Sequence, residues 1–211
     1  MSAAIRNYAL VTSAYWGFTL TDGALRMLVL LHFHALGYSA FEIALLFVLY
    51  EFAGIVTNLV GGWLAQARGL RFTLYCGLSL QILSLAALSL TNPDWLPAVS
   101  VAYVMGLQAA SGVAKDLTKM SSKSAIKVLV PSDAKGALFR WAALLTGSKN
   151  ALKGVGFFLG SALLSWLGFS GAVLAMAAGL AMTLIAVALS LGNAMSGPSS
   201  AAKPKFREVF S

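Results

Sequence analysis

Cysteine, charge and acidic residues are all scarce in this chain. One cysteine, Cys76, occurs in 211 residues, which excludes a disulfide within the chain and any metal or metalloid site built from several thiolates. Charged residues make up 10%, where a soluble domain averages about 25%. Seven Asp and Glu stand against 15 Lys and Arg, a net charge of +8. There is no Walker loop, nucleophile elbow, HExxH pair or GxGxxG framed by a strand and a helix. The expectation is therefore not an enzyme, with no cofactor. His32 and His34 lie two apart, about 200° around a helix, and so do not share a metal. No cleavable leader is expected either, because the first apolar segment is too long for one.

What is present is apolar. Hydrophobic residues make up 59% and the mean hydropathy is +0.81. The pattern predicts an all-α, polytopic membrane protein. Six apolar segments, roughly 8–34, 40–66, 72–91, 96–118, 137–167 and 171–191, each approach or exceed the length that crosses a bilayer. Turn and breaker residues mark the joints: Gly37-Tyr38-Ser39, Arg68-Gly69, Asn92-Pro93-Asp94, Pro131-Ser132-Asp133 and Gly168 to Gly171. Residues 1–191 read as one six-helix transmembrane bundle and 192–211 as a polar, basic linker.

The basic residues set the orientation. Alternate connections receive Arg6, Arg68, Arg71, the lysines from Lys115 to Lys135, Arg140, Lys203, Lys205 and Arg207, twelve of the 15 in all. The opposite connections receive none, so both termini are expected in the cytoplasm of a multi-pass protein in a bacterial inner membrane. This asymmetry accounts for the charge without nucleic acid. Lys115, Lys119, Lys123 and Lys127 recur every four residues across the end of the fourth segment and the following loop. They read as a face for anionic lipid headgroups, or, for Lys115 with Asp116, as side chains reaching into a cavity.

Five charges remain at membrane depth: Asp22, Arg26, Glu51, Lys149 and Lys153. A lysine at the bilayer centre costs roughly 2.5–3.5 kcal/mol on insertion scales, so such residues face a bundle interior and mark a pathway. Asp22 and Arg26 are four apart and can pair on one face, as Lys149 and Lys153 share another. Two negatives against three positives leave one positive in surplus. Lys149 and Lys153, with Asn150 as a neutral hydrogen-bonding neighbour and Arg26, are the candidates for binding an anionic small molecule. Lysine offers such an anion a compact charge with three donors. Glu51 is either a protonatable coupling residue or a static partner of Lys153, and Asp22 shares the coupling or pairing role. The GxxxG pair Gly156 and Gly160 reads as helix packing.

Six spans and cytoplasmic termini resemble the N-terminal half of a major facilitator superfamily transporter. The loop GGWLAQARGLR resembles that superfamily's gating signature at Gly62, Gly69 and Arg71, with Gln66 where an acidic residue is usual. Five blocks carry a narrower resemblance: YWGFTLTDGALRMLVLLHFHALGYS (15–39), YEFAGIVTNLVGGWL (50–64), AKDLTKMSSKSAIKVLVP (114–131), ALLTGSKNALKGVGFFLG (143–160) and KPKFREVFS (203–211). They are similar to the organoarsenical efflux permeases of the ArsJ type. The resemblance implies export of 1-arseno-3-phosphoglycerate, arsenate resistance, and a functional link to a glyceraldehyde-3-phosphate dehydrogenase that makes the substrate. It also implies a C-terminal half beyond Ser211, with a working homodimer of halves as the alternative. Two further readings stay open: export of another anionic metabolite or drug, and a non-transporting membrane assembly subunit.

Overall fold

The computed structural model describes residues 3–129 and 135–191; the joint expected at 131–133 and the linker at 192–211 lie outside them. Every regular element is helical: α1 (Ala3–Ala35), α2 (Ala40–Arg68), α3 (Leu70–Leu88), α4 (Pro97–Leu129) and α5 (Lys135–Ser190). Gly168 breaks α5 with φ 67° and ψ −177°, a backbone conformation that suits a residue without Cβ. The break divides α5 into two arms, 135–167 and 169–190, so six rods are present. The chain has an all-α, polytopic membrane fold.

Local chemistry sets the helix ends. Ser39 caps α2 by accepting from the Glu42 amide at 3.3 Å, and Glu42 returns by accepting from the Ser39 amide at 2.8 Å. This reciprocal box satisfies two otherwise unpaired donors. At the other end of α2, Gly69 turns the chain at φ 87° and donates its amide to the Ala65 carbonyl, and α3 starts at the next residue. The connection between α2 and α3 is thus a one-residue elbow.

Two expected boundaries change. The fourth apolar segment was expected to end near 118, but α4 continues to Leu129. Its polar second half is helical because Ser121 and Ser122 turn their hydroxyls back to Leu117 and Thr118 carbonyls and no breaker precedes Pro131. The lysines at 115, 119 and 123 therefore lie on one helix rather than across a loop. The turn expected over 168–171 contracts to Gly168 alone.

Four helices carry stretches long and apolar enough to cross a membrane: Ala40–Gly61, Leu70–Leu88, Pro97–Ala125 and Ala143–Ser190. The last, at 48 residues, has the length for two crossings. α1 is as long as α4 but carries Asp22, Arg26, His32 and His34 and is not among the four. Asp22 is buried and Arg26 and His32 are half-buried against neighbouring helices, while His34 is exposed at the helix end. Tyr8, Val11, Ala14, Tyr15 and Phe18 of α1 join one core cluster, and Ala24, Leu25, Leu28, Val29 and Phe33 join a second. Thr19, Thr21 and Asp22 fall between the two. Lipid-compatible side chains cover the outside, including Val48, Phe52, Ile55 and Leu59 of α2 and Phe158, Trp166 and Leu189 of α5.

α1 packs chiefly on α5, while α4 packs on α2 and α3. Small residues permit the closest approaches. A Cβ on Gly156 would stand 2.6 Å from the Leu20 carbonyl oxygen, and one on Gly112 would collide with the Tyr50 backbone. Across α3 and α4, Ser111 donates to Gln81 Oε1 at 2.6 Å and Thr73 pairs with Ser121 at 2.6 Å. Gln81 serves as helix-to-helix glue.

Candidate functional site

Thr19 and Asp22, between the two core clusters, face a cavity of about 250 Å³, lined also by Tyr15, Phe18, Arg26, Glu51, Lys115, Lys119, Lys149 and Lys153. Helix contacts dictate who faces whom. Trp16 Nε1 donates to Ser148 Oγ at 2.9 Å, which ties the turn before Lys149 to α1. Two turns along, a Cβ on Gly23 would meet the Lys153 carbonyl at 2.7 Å. These two contacts fix the register of α5 on α1 and set both lysines beside Thr19 and Asp22.

Asp22 is 2% exposed. Its Oδ2 lies 3.5 Å from Lys153 Nζ and its Oδ1 accepts from the Tyr50 hydroxyl. Arg26 reaches the other way, to Glu51 Oε1 at 2.7 Å, and Lys115 Nζ approaches Glu51 Oε2 at 3.5 Å. The pairing of Asp22 with Arg26 suggested by their spacing is therefore not made. Nor does Glu51 partner Lys153. Residues four apart share a helix face, but this face meets α5 at Asp22 and α2 at Arg26, and each neighbour supplies its own counter-charge.

Tyr50 joins the two ion pairs. It is 1% exposed, with Arg26 Cζ at 4.3 Å and Lys115 Nζ at 4.1 Å from its ring centroid. A face held between two cations gains cation–π attraction, worth roughly 0.5–2 kcal/mol per contact, while the hydroxyl fixes Asp22. Lys119 pairs with buried Asp116 at 3.1 Å.

Lys149 differs from every other cation in the wall. Among the described residues it has no carboxylate partner within 4.0 Å and no hydrogen bond, although it lines the cavity. Lys115, Lys119 and Lys153 line the same cavity.

The structure thus brings Asp22, Arg26, Glu51, Lys149 and Lys153 to one cavity. Asn150 is exposed and does not line it. Gly69 and Arg71 stand at the α2–α3 elbow, outside the lining, where Arg71 Nε donates to the Tyr75 hydroxyl at 3.1 Å; Gly62 lies within α2. Tyr50, Lys119, Tyr15 and Thr19 were not singled out from sequence as cavity residues. Tyr50 adjoins Glu51, and a tyrosine beside an intramembrane carboxylate was the available signal. Lys115 and Lys119 carried theirs in the four-residue period. His32, away from the cavity, stacks on Phe169 at 4.1 Å.

No protein-family model and no curated protein matches the chain. Solved structures do. A POT family transporter in complex with a thioalcohol-conjugated peptide superposes at TM-score 0.67 and 18% identity, over 92% of this chain and 40% of that one. A POT family transporter in complex with 5-aminolevulinic acid superposes at TM-score 0.63 and 17% identity, with the same coverage of each chain. The chain shares its fold with part of those two structures and spans 40% of their length.

Proposed function

We propose that the chain is one six-helix half of a secondary transporter of the major facilitator type, and that its cargo is an anionic small molecule. One observation carries the cargo reading: Lys149 faces a membrane-depth cavity with its charge uncompensated among the described residues. An unpaired lysine at that depth is costly unless an anion arrives to pair with it. Lys153, held by Asp22 at 3.5 Å, is the second ligand, and Arg26 stays committed to Glu51. Proton coupling falls to the carboxylates that already trade cations, Asp22 and Glu51. Asn150 serves an anion only if the transport cycle turns it inward.

The second half covers the open side of the cavity. Glu51 has 59% of its side chain exposed, on the same α2 face as Phe52 and Ile55. A carboxylate there needs protein or water against it rather than hydrocarbon. In two-halved transporters the substrate site lies between the repeats.

The particular cargo that the sequence blocks imply is 1-arseno-3-phosphoglycerate, exported across the bacterial inner membrane. The full-length protein, expressed with glyceraldehyde-3-phosphate dehydrogenase in an arsenate-sensitive cell, is expected to confer arsenate resistance, and Lys149→Gln to abolish it at unchanged surface expression. No resistance despite correct insertion removes the arsenical cargo. Normal transport by both Lys149→Gln and Lys153→Gln removes the lysine site.

A further inference from the structure

The lysines of α4 lead away from the cavity in a regular line. Lys115 and Lys119 line its wall and Lys123, one turn further, is exposed. Because α4 is continuous to Leu129, these three occupy one helix stripe, each about 6 Å beyond the last. Lys119 shares the cavity wall with Lys149. Asp116 is the one acidic residue on α4, and it is buried against Lys119, so nothing on this helix neutralises Lys123. The stripe runs from the uncompensated cation toward the end of the bundle marked by the basic connections.

We propose that Lys119 and Lys123 form an outer anion-binding step, which concentrates anionic solutes at the mouth and passes them to Lys149. The inference rests on the anion reading of the cavity and adds its route of entry. Lys119 alternates between Asp116 and the passing anion, and Lys123 makes the first encounter. A passage lined by one sign of charge between low-dielectric walls raises the local concentration of the opposite ion and its on-rate.

The test needs no knowledge of the cargo. Full-length protein carrying Cys76→Ser and Thr19→Cys has a single reporter thiol in this chain's cavity wall. It is placed in phosphatidylcholine vesicles and modified with anionic sulfonatoethyl or cationic trimethylammonioethyl methanethiosulfonate. At low salt the anionic reagent is expected to react faster, relative to the rates of both with a free thiol. Removing one unit charge about 10 Å from the path, by Lys123→Gln, changes each reagent's local concentration about twofold in opposite senses, so the rate ratio falls about fourfold. Lys123→Arg retains the ratio, and the Lys123→Gln effect fades at about 1 M salt, where the screening length is about 3 Å. Lys119→Gln with Asp116→Asn removes the inner step without stranding the carboxylate; because one charge of each sign is lost together, it is expected to lower the ratio by much less than Lys123→Gln.

An unchanged ratio in Lys123→Gln, with Lys149→Gln still lowering it, overturns the entry route and leaves the cavity reading standing. A wild-type preference for the cationic reagent overturns both. An effect confined to vesicles containing phosphatidylglycerol assigns the stripe to lipid headgroups and overturns the proposal.

Discussion

Lys149 and Lys153 are one turn apart on the same helix, yet their removal is expected to have opposite signatures. Lys153→Gln strands Asp22, whose side chain is 3% exposed, with the Tyr50 hydroxyl as its remaining donor. Breaking a buried pair costs about 3–5 kcal/mol when the survivor is fully enclosed. Here the pair is long at 3.5 Å and Lys153 is 25% exposed, so about 2 kcal/mol is the reasoned loss. On the scale of soluble domains this size, that corresponds to a fall in Tm of about 4–8 °C. Lys149→Gln breaks no ion pair and relieves a like-charge i,i+4 contact, so its melting point is expected within about 2 °C of wild type, on the high side. Asp22→Asn added to Lys153→Gln should restore most of the loss, a coupling of about 1–2 kcal/mol. The assay is tryptophan-fluorescence melting of the purified protein in detergent. Equal shifts for the two lysines, or no rescue by Asp22→Asn, would refute the pairing.

Tyr50→Phe keeps the ring between Arg26 and Lys115 but removes the donor to Asp22, at a cost of about 1–2 kcal/mol; Tyr50→Leu also loses both cation–π contacts and should melt lower still. Gly156→Leu drives a side chain into the Leu20 carbonyl, 2.6 Å from the added Cβ, and is expected to separate α1 from α5, read as loss of folded protein on size-exclusion chromatography. Gln108 is 0% exposed with neither amide atom hydrogen-bonded among the described residues, so Gln108→Met should raise the melting point by about 2–6 °C; a fall would show that the amide has a partner. Glu51→Gln is expected to flatten the pH dependence of transport, and a variant that keeps it in full removes Glu51 from coupling.

The helical class and the joints at Gly37, Gly69 and Gly168 were legible because each depends on local sequence. Composition sets the class, and glycines and prolines set the joints. Pairing was not legible. Whether Asp22 meets Arg26, four residues away, or Lys153, 131 residues away, depends on how near two helix backbones come. That distance is set by Gly23 and Gly156, whose contribution is the absence of a side chain. The end of α4 was hidden for a different reason. Its second half is too polar to read as membrane-spanning, and hydropathy does not register that serine hydroxyls and spaced lysines can still belong to a helix.

That hidden continuation changes the charge count on which the functional reading rests. Five charges at membrane depth leave a surplus of one cation, and any single missed carboxylate would cancel it. Lys115 and Asp116, within the expected segment, add one charge of each sign, and the extension of α4 adds Lys119, giving five cations against three carboxylates around the cavity. The surplus is then two, and its location is specific. Glu51 is shared by Arg26 and Lys115, Asp116 is taken by Lys119, Asp22 is taken by Lys153, and Lys149 has none. A purely structural cluster would approach neutrality, since each unpaired charge opposes insertion. An excess that grows as more residues are counted, and falls on the cation lining the cavity, is what a site for an anion requires.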